Sequence, residues 1–156
     1  KSVNDENVIA LLQKINPDAV VVNGSRIISD KVLSSVERPF LNTHVGITPK
    51  YRGVHGGYWA LANDDPDHCG VTVHLVDTGI DTGGIIFQDT ISITGEDSFN
   101  TYPILQLAKS IPLMKQALHH IYKGTLETKH IKLPSMLWYH PTLFMYLVNY
   151  FRKGVK

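Results

Sequence analysis

The sequence has very little cysteine and almost no net charge. Cys69 is the only cysteine, so no disulfide can form within the chain, which fits a reducing compartment. The formal net charge is +1 at pH 7, which gives no reason to expect a nucleic acid or a membrane as a partner. No apolar run approaches the ~18 residues of a membrane-spanning helix. We therefore expect a cytoplasmic protein.

Several catalytic motifs are also missing. The chain has no Gly-x-Ser-x-Gly elbow, no glycine-rich phosphate loop, and no Cys-x-x-Cys or His-x-x-x-His pair of the kind that zinc sites use. Cys69 lies in no sequence typical of a nucleophile and is predicted to be a small buried or turn residue. A metal site at longer spacing stays open as an alternative, with these candidate ligands: His44, His55, His74, Asp77 and Asp81.

What is present describes a single globular domain. The 156 residues are 43% hydrophobic and 19% charged, ordinary values for a chain that can bury about two-thirds of its unfolded surface. Apolar runs suited to strands alternate with segments of helical periodicity, which predicts an α/β fold with at least part of a parallel sheet. The chain starts with Lys1 and a predicted helix, so we expect it to be the later part of something longer.

The predicted elements follow from periodicity and from turn residues. A first helix, capped by Ser2 or Asn4, ends at Asn16. A long helix near Ile104 to Ile121 should be kinked or split by Pro112 and stopped by Gly124. The other predictions are strands at 19–22, 40–42, 71–76 and 85–88 (extending as far as 93), short helices at 30–36 and 58–62, and a tail helix beginning at Pro141.

Two stretches each combine a predicted buried strand with candidate catalytic residues at the end of that strand. The first is Asn42 to Gly53 and the second is Val71 to Gly84, each an apolar run followed by Gly, Thr or Pro with a His and a carboxylate nearby. On a strand, residues i and i+2 point to the same side, so Asn42 and His44 should project together. An amide donor beside a titratable imidazole suits the stabilisation of an oxyanion during proton transfer. The same pattern also fits a capping Asn and a His hydrogen-bonded to the backbone.

The second stretch supplies the carboxylates. Asp81 lies in a turn rich in Gly and Thr that could return it to the strand ends, and a carboxylate beside an imidazole raises the pKa of that imidazole and fixes its tautomer. Asp77 could do the same or cap the turn, and His74 lies on the preceding strand. Arg52 could contact an anion, although a lone arginine in a loop is more often solvated.

In their order along the chain, these residues resemble a known family. Asn-x-His, a Pro, Arg-Gly, Gly-Val-Thr-Val-His and Ile-Asp-Thr-Gly-Gly-Ile-Ile, between about Asp18 and Ile121, are similar to formyltransferases that use 10-formyltetrahydrofolate. The resemblance implies a partial Rossmann-like domain with a mostly parallel sheet, flanking helices and a hairpin-like pair around Asp81. The implied domains are a catalytic part at 1–130 and an aromatic extension with a tail helix at 131–156.

The resemblance also implies roles for residues. Asn42, His44 and Asp81 correspond to the catalytic trio, with Asn42 and protonated His44 stabilising an oxyanion and Asp81 holding the charge of His44 and relaying the amine proton through water. No metal is implied. The residues implied for binding the folate donor are Arg26, Ile27, Ile28, Thr72, His74, Val76, Asp77, Thr78, Gly79 and Ile80.

The sequence departs from the pattern of the family in three features, all of which concern the binding of the acceptor. The chain has Gly46-Ile47-Thr48-Pro49 where many members have Ser-Leu-Leu-Pro, it lacks the first strands with their phosphate-binding glycine turn, and it lacks the C-terminal domain of the transfer-RNA enzymes. We expect formyl transfer to a primary amine on a small phosphorylated or nucleotide-linked acceptor, with a sugar nucleotide favoured. Glycinamide ribonucleotide is an alternative acceptor, and a catalytically incompetent folate-binding fragment is an alternative function. A homo-oligomer or a partner could cover the sheet edge left by the missing strands.

Overall fold

The computed structural model describes residues 2–156, in which helices and strands alternate. The helices are α1 (Glu6–Ile15), α2 (Asp30–Leu33), α3 (Gly56–Ala62), α4 (Tyr102–Lys123) and α5 (Leu143–Lys153), with a 3-10 turn at Pro66–His68. The strands are β1 (Val20–Val22), β2 (Phe40–His44), β3 (Arg52–Gly53), β4 (Gly70–Leu75), β5 (Ile85–Thr90) and β6 (Leu137–Trp138).

The main sheet has four strands in the order β1-β2-β4-β5. β1 is parallel to β2, whereas β4 is antiparallel to both β2 and β5. A second small sheet pairs β3 in parallel with β6. The α/β class, the flanking helices and the hairpin-like pair around Asp81 are therefore confirmed.

The pairing within the main sheet differs from the mostly parallel arrangement that we predicted. His44, the last residue of β2, lies opposite Thr72 near the start of β4. The segment between β2 and β4, which contains β3 and α3, therefore returns the chain to the end of β2. Because β4 starts there, it runs antiparallel to β2. This reversal places the predicted functional residues of both strands next to each other.

Three apolar clusters support the sheet. Leu41, Val73 and Ile86 pack against Ala117 of α4 on one face, because the helical spacing of α4 presents its small and apolar residues to the strands. Ile28, Val32 and Phe40 form the cluster on the α1 and α2 side. The aromatic cluster contains Tyr51, Tyr58, Trp59 and Tyr102 and lies around α3.

Two helix starts differ from the sequence predictions because a different side chain caps each helix. α1 begins at Glu6, and the Asp5 carboxylate accepts a hydrogen bond from the Asn7 amide at 3.0 Å, so the prediction of Ser2 or Asn4 as the cap is wrong. α5 begins at Leu143 rather than at Pro141, because the Thr142 hydroxyl accepts from the Met145 amide at 3.2 Å. Both caps satisfy amides that have no partner within the helix.

The long helix α4 continues through Pro112 from Tyr102 to Lys123, so of the predicted kink or split the split is wrong, and the kink stays a prediction. Loss of one main-chain hydrogen bond is tolerated because tertiary packing holds the rest of the helix against β4 and β5. The predicted stop is confirmed: Gly124 has a φ of 65°, in the left-handed region that glycine adopts without strain. The short helix α2 ends at Leu33, earlier than we predicted, whereas strand β5 ends at Thr90, within the predicted range.

The tail helix α5 packs one face on α3. Asn149 Nδ2 donates to the Tyr58 hydroxyl at 2.9 Å, and the Tyr146 ring stacks 6.2 Å from the Tyr58 ring. The opposite face is exposed, including Phe144 and Phe151. Within residues 2–156, none of the helices combines the length and the apolar character required to cross a bilayer.

Candidate active site

The reversal of β4 brings the predicted catalytic side chains to one place. Asn42 on β2 lies directly opposite His74 on β4, and the connection between β4 and β5 brings Asp81 back to His44 and His74. Asp81 Oδ2 lies 3.3 Å from His44 Nδ1, and Asp81 Oδ1 lies 3.6 Å from His74 Nε2. All four side chains line one cleft.

His44 is buried and has an acceptor at each ring nitrogen. Its Nε2 lies 2.6 Å from the main-chain carbonyl oxygen of Tyr51, so Nε2 carries a proton and donates it. Its Nδ1 faces the Asp81 carboxylate. Burial lowers the pKa of His44 below 6.5, while Asp81 and the Tyr51 carbonyl act in the opposite direction. A proton on His44 Nδ1 is therefore stabilised by the Asp81 carboxylate.

Asp81 is fixed by contacts on both carboxylate oxygens. The Gly53 amide donates to Oδ2 at 2.9 Å, and His74 lies beside Oδ1. Burial opposes ionisation, but the contact with His74, the charge of His44 and the Gly53 amide outweigh it and lower the pKa of Asp81. Asp81 also has a φ of 51°, a conformation that is uncommon for a side-chain-bearing residue and tends to occur at functional sites.

His74 orients the amide of Asn42. Its Nδ1 lies 2.6 Å from the carbonyl oxygen of Leu75 and donates to it. Its Nε2 lies 3.3 Å from Asn42 Nδ2 and 3.6 Å from Asp81 Oδ1, so one ring nitrogen contacts both side chains. The Asn42 amide has two hydrogens and therefore keeps at least one for the cleft.

The cleft has a volume of about 250 Å³ and contains most of the predicted donor-binding residues. Ile27, Ile28 and Val76 provide an apolar wall, and Ile27 is 69% exposed. The remaining predicted donor-binding residues that line it are Arg26, His74, Asp77, Gly79 and Ile80. An apolar wall that faces a few polar groups is the usual form of a small-molecule site.

Two of the predicted donor-binding residues lie outside the cleft. Thr72 is fully buried, and its hydroxyl donates to the Gly46 carbonyl at 2.7 Å and accepts from the Thr48 amide at 3.1 Å. It therefore shapes the loop after His44. Thr78 does not line the cleft, although the Asp77 side chain holds its turn by accepting from the Gly79 amide at 3.0 Å.

A second cleft of about 330 Å³ lies on the other side of Asp81. Arg52, Lys129 and Lys132 line it and give it positive charge, with Asp81 as the single carboxylate among its lining residues in the described structure. Arg52 Nη1 donates to the Ile80 carbonyl at 2.9 Å, while its buried Nε has no partner within residues 2–156. The two clefts meet at Asp81.

Sequence reasoning missed the residues that act through their main chain. The carbonyl of Tyr51 and the amide of Gly53 orient His44 and Asp81, and Gly46 gives them room. A Cβ at Gly46 would lie 2.4 Å from the Tyr51 carbonyl oxygen and 2.7 Å from His44 Nε2. The Arg52-Gly53 motif, which is part of the family resemblance, was the one sequence feature that indicated this loop.

Within the described residues, the structure supports neither the metal site nor the cysteine nucleophile that the sequence analysis considered. Within residues 2–156, no group of three or more His, Cys, Asp or Glu side chains is arranged to hold a metal ion. His55 lies apart from the cleft and pairs with His140, with Nε2 and Nδ1 2.9 Å apart. Cys69 is buried, and burial raises the pKa of its thiol to about 11, which opposes formation of a thiolate nucleophile.

Several known proteins are similar to this chain in sequence or in fold. Over 97 residues, the chain is 39% identical to methionyl-tRNA formyltransferase of Finegoldia magna, covering 62% of this chain and 31% of that enzyme. Among solved structures, glycinamide ribonucleotide transformylase 1 of Symbiobacterium toebii has a TM-score of 0.71 at 25% identity, covering 79% of this chain and 58% of that one.

Another similar structure is that of the formyltransferase PseJ from Anoxybacillus kamchatkensis, in complex with UDP-4,6-dideoxy-4-formamido-L-AltNAc and tetrahydrofolate. It has a TM-score of 0.65 at 27% identity, covering 80% of this chain and 65% of that one. The chain spans less than half the length of the curated relatives it matches. Residues 1–108 match the formyl transferase family, and the chain therefore belongs to that family.

Proposed function

We propose that this chain carries the centre that transfers a formyl group from 10-formyltetrahydrofolate to a primary amine. The observation that carries the proposal is the assembly of Asn42, His44 and Asp81 around one cleft, with His44 Nδ1 3.3 Å from the Asp81 carboxylate. The carboxylate is poised to stabilise a proton on the imidazole, and the amide is poised to stabilise an oxyanion. A cytoplasmic location is part of the same proposal.

The first cleft suits the folate donor. Ile27 exposes a large apolar surface to it while Ile28 and Val76 are largely covered, so a flat heteroaromatic ring would bury apolar area there. The turn from Val76 to Asp81 borders the same cleft. Tetrahydrofolate is bound in the related PseJ structure, which supports the assignment of this cleft to the donor.

The chemistry follows from the proton positions. The amine nitrogen attacks the formyl carbon, and the carbonyl oxygen becomes an oxyanion that the free hydrogen of the Asn42 amide can bind. The resemblance implies a His44 that is protonated from the start, but burial lowers the pKa of His44, so in this proposal the ring starts neutral. Nδ1 then accepts the amine proton, because Nε2 is already protonated and held by the Tyr51 carbonyl. The imidazolium then has an acceptor at both nitrogens and is stabilised by Asp81. When the bond from carbon to N10 breaks, this proton passes to N10.

The second cleft suits the acceptor. An amine must reach the formyl carbon from the side of Asp81 that the folate does not occupy, and Arg52, Lys129 and Lys132 make that side positive. This charge favours an acceptor with phosphate groups. We favour a sugar nucleotide, as in the related PseJ structure. Glycinamide ribonucleotide is the alternative.

An assay with a panel of amines tests the function. The chain is incubated with 10-formyltetrahydrofolate and, in separate reactions, an amino-sugar nucleotide, glycinamide ribonucleotide, methionyl-tRNA, and the amino sugar without its nucleotide. We expect formylation of the amino-sugar nucleotide and little reaction of the free amino sugar. Turnover of methionyl-tRNA alone would contradict the choice of a small acceptor. Folate binding by calorimetry with no turnover on any amine would instead indicate a binding module.

Replacement of Gly46 by alanine is expected to lower kcat about 10²-fold, because a displacement of ~1 Å at a catalytic group has an effect of that size. The added Cβ would push against the Tyr51 carbonyl and His44 Nε2. Gly95→Ala is the matched control, since a Cβ at Gly95 would meet nothing within 4 Å. Equal rates for the two variants would show that the close approach at Gly46 does not position His44.

A further inference from the structure

The segment 136–138, which precedes the tail helix, contacts the loop that orients the catalytic residues. β6 pairs with β3 in the register Arg52 to Leu137 and Gly53 to Trp138. The Arg52 amide donates to the Met136 carbonyl at 3.1 Å, and the Val54 amide donates to the Trp138 carbonyl at 3.1 Å. The Met136 amide in turn donates to the Pro49 carbonyl at 3.1 Å.

The side chain of Trp138 adds a second set of contacts. Its indole Nε1 donates to the Lys50 carbonyl at 3.1 Å. Its ring lies between the Tyr51 ring, 5.9 Å away at 25°, and the Trp59 ring, 4.7 Å away at 27°. The Tyr51 hydroxyl donates to Asp65 at 2.7 Å, so the Tyr51 side chain is held both at its hydroxyl and on its ring face.

The short loop held in this way carries both main-chain groups that orient the catalytic pair. The Tyr51 carbonyl accepts from His44 Nε2 and the Gly53 amide donates to Asp81 Oδ2. These two groups are two residues apart in the sequence. A Cβ at Gly53 would lie 2.2 Å from the Trp138 carbonyl oxygen, so only glycine allows the two strands to approach this closely.

We propose that Trp138 is a positioning residue for the formyl-transfer centre: through the loop of residues 50–53 it sets the proton position of His44 and the orientation of Asp81. The aromatic segment is then part of the catalytic unit rather than a separate extension. The inference rests on the proposed function for its effect on rate. Its effect on the His44 ring is independent of any activity.

The test compares Trp138→Ala and Trp138→Phe with Tyr139→Ala as the matched control. Tyr139 is the next residue in the chain and is 70% exposed. Its main-chain carbonyl accepts a hydrogen bond from Trp59 Nε1 at 2.9 Å, and the substitution leaves that bond in place. The first readout is ¹⁵N NMR of the His44 ring at neutral pH, assigned by the loss of its signals in His44→Gln. The second readout is steady-state kinetics of formyl transfer, and far-UV circular dichroism checks folding.

In the unsubstituted protein and in Tyr139→Ala, we expect His44 to be protonated on Nε2. In Trp138→Ala we expect a mixture of tautomers and a fall in kcat of about 10²-fold, with KM for the donor changed much less. Trp138→Phe keeps the stacking but loses the hydrogen bond to Lys50, so an intermediate result is expected.

A His44 tautomer and a kcat in Trp138→Ala that match those of Tyr139→Ala would overturn the inference. If Trp138→Ala does not fold, Trp138→Phe decides, and an unchanged tautomer in that variant would overturn it equally. If the unsubstituted chain shows no turnover, the proposed function fails, and the NMR readout still decides whether Trp138 positions His44.

Discussion

Replacing Asp81 by asparagine is expected to lower kcat for formyl transfer by about 10² to 10⁴-fold, the contribution typical of a positioned proton-transfer partner. The substitution removes the charge that stabilises a proton on His44 Nδ1. It leaves an oxygen that can still accept from the Gly53 amide, which donates to Asp81 at 2.9 Å. Asparagine also tolerates the left-handed φ of 51°. Steady-state kinetics with 10-formyltetrahydrofolate and the accepted amine provide the measurement.

The control for Asp81→Asn is Asp89→Asn. Asp89 lies on β5 and pairs with Lys109 at 3.0 Å on the surface, with 42% of its side chain exposed. An exposed pair of this kind contributes little to stability, so this variant should keep the unsubstituted rate. If Asp81→Asn retained a kcat within threefold of Asp89→Asn, the carboxylate would have no role in proton transfer.

His44→Gln is expected to lower kcat by a similar factor and to abolish the acid limb of the pH profile. Burial lowers the pKa of His44 from 6.5, so the neutral base is available at neutral pH and is lost as the pH falls through the folded-state value. The rate of the unsubstituted protein should therefore decrease on acidification. Glutamine can still donate to the Tyr51 carbonyl but cannot accept a proton at neutral pH. A profile of kcat against pH for both proteins makes the comparison.

The same pKa shift makes a prediction for stability. The unfolded chain binds a proton at His44 near pH 6.5, whereas the folded chain binds it only at lower pH. The free energy of unfolding should therefore decrease as the pH falls from about 6.5 through the folded-state pKa, and less steeply in His44→Gln. His119→Ala, at an exposed position of α4, serves as the control. A pH dependence unchanged in His44→Gln would show that the pKa of His44 is not shifted by folding.

The sequence predicted the elements that depend on local pattern. Apolar runs located β1, β2, β4 and β5, helical spacing located α1 and α4, and the glycine stop at Gly124 was found where expected. The side chains of Asn42, His44 and Asp81 were predicted to meet, and they lie around one cleft. Such features are readable because side-chain identity repeats with the period of the element.

Other features depended on contacts between distant segments. The direction of β4 follows from how the chain packs after β2, which no local period encodes. Helix α4 continues through Pro112 because its packing on β4 and β5 outweighs one lost hydrogen bond. Thr72 matched a donor-binding position in the sequence pattern but is fully buried beneath the loop after His44.

By itself, the sequence determined which side chains are the candidates for the chemistry, since an amide, an imidazole and a carboxylate are recognisable by residue type. Only the tertiary structure decided how those side chains are oriented. The Tyr51 carbonyl fixes the proton of His44, the Gly53 amide fixes Asp81, and residues 136–138 hold both groups in place. Every residue has the same main-chain carbonyl, and every residue except proline has the same amide N–H, so residue identity does not mark the ones that the fold brings to the candidate site.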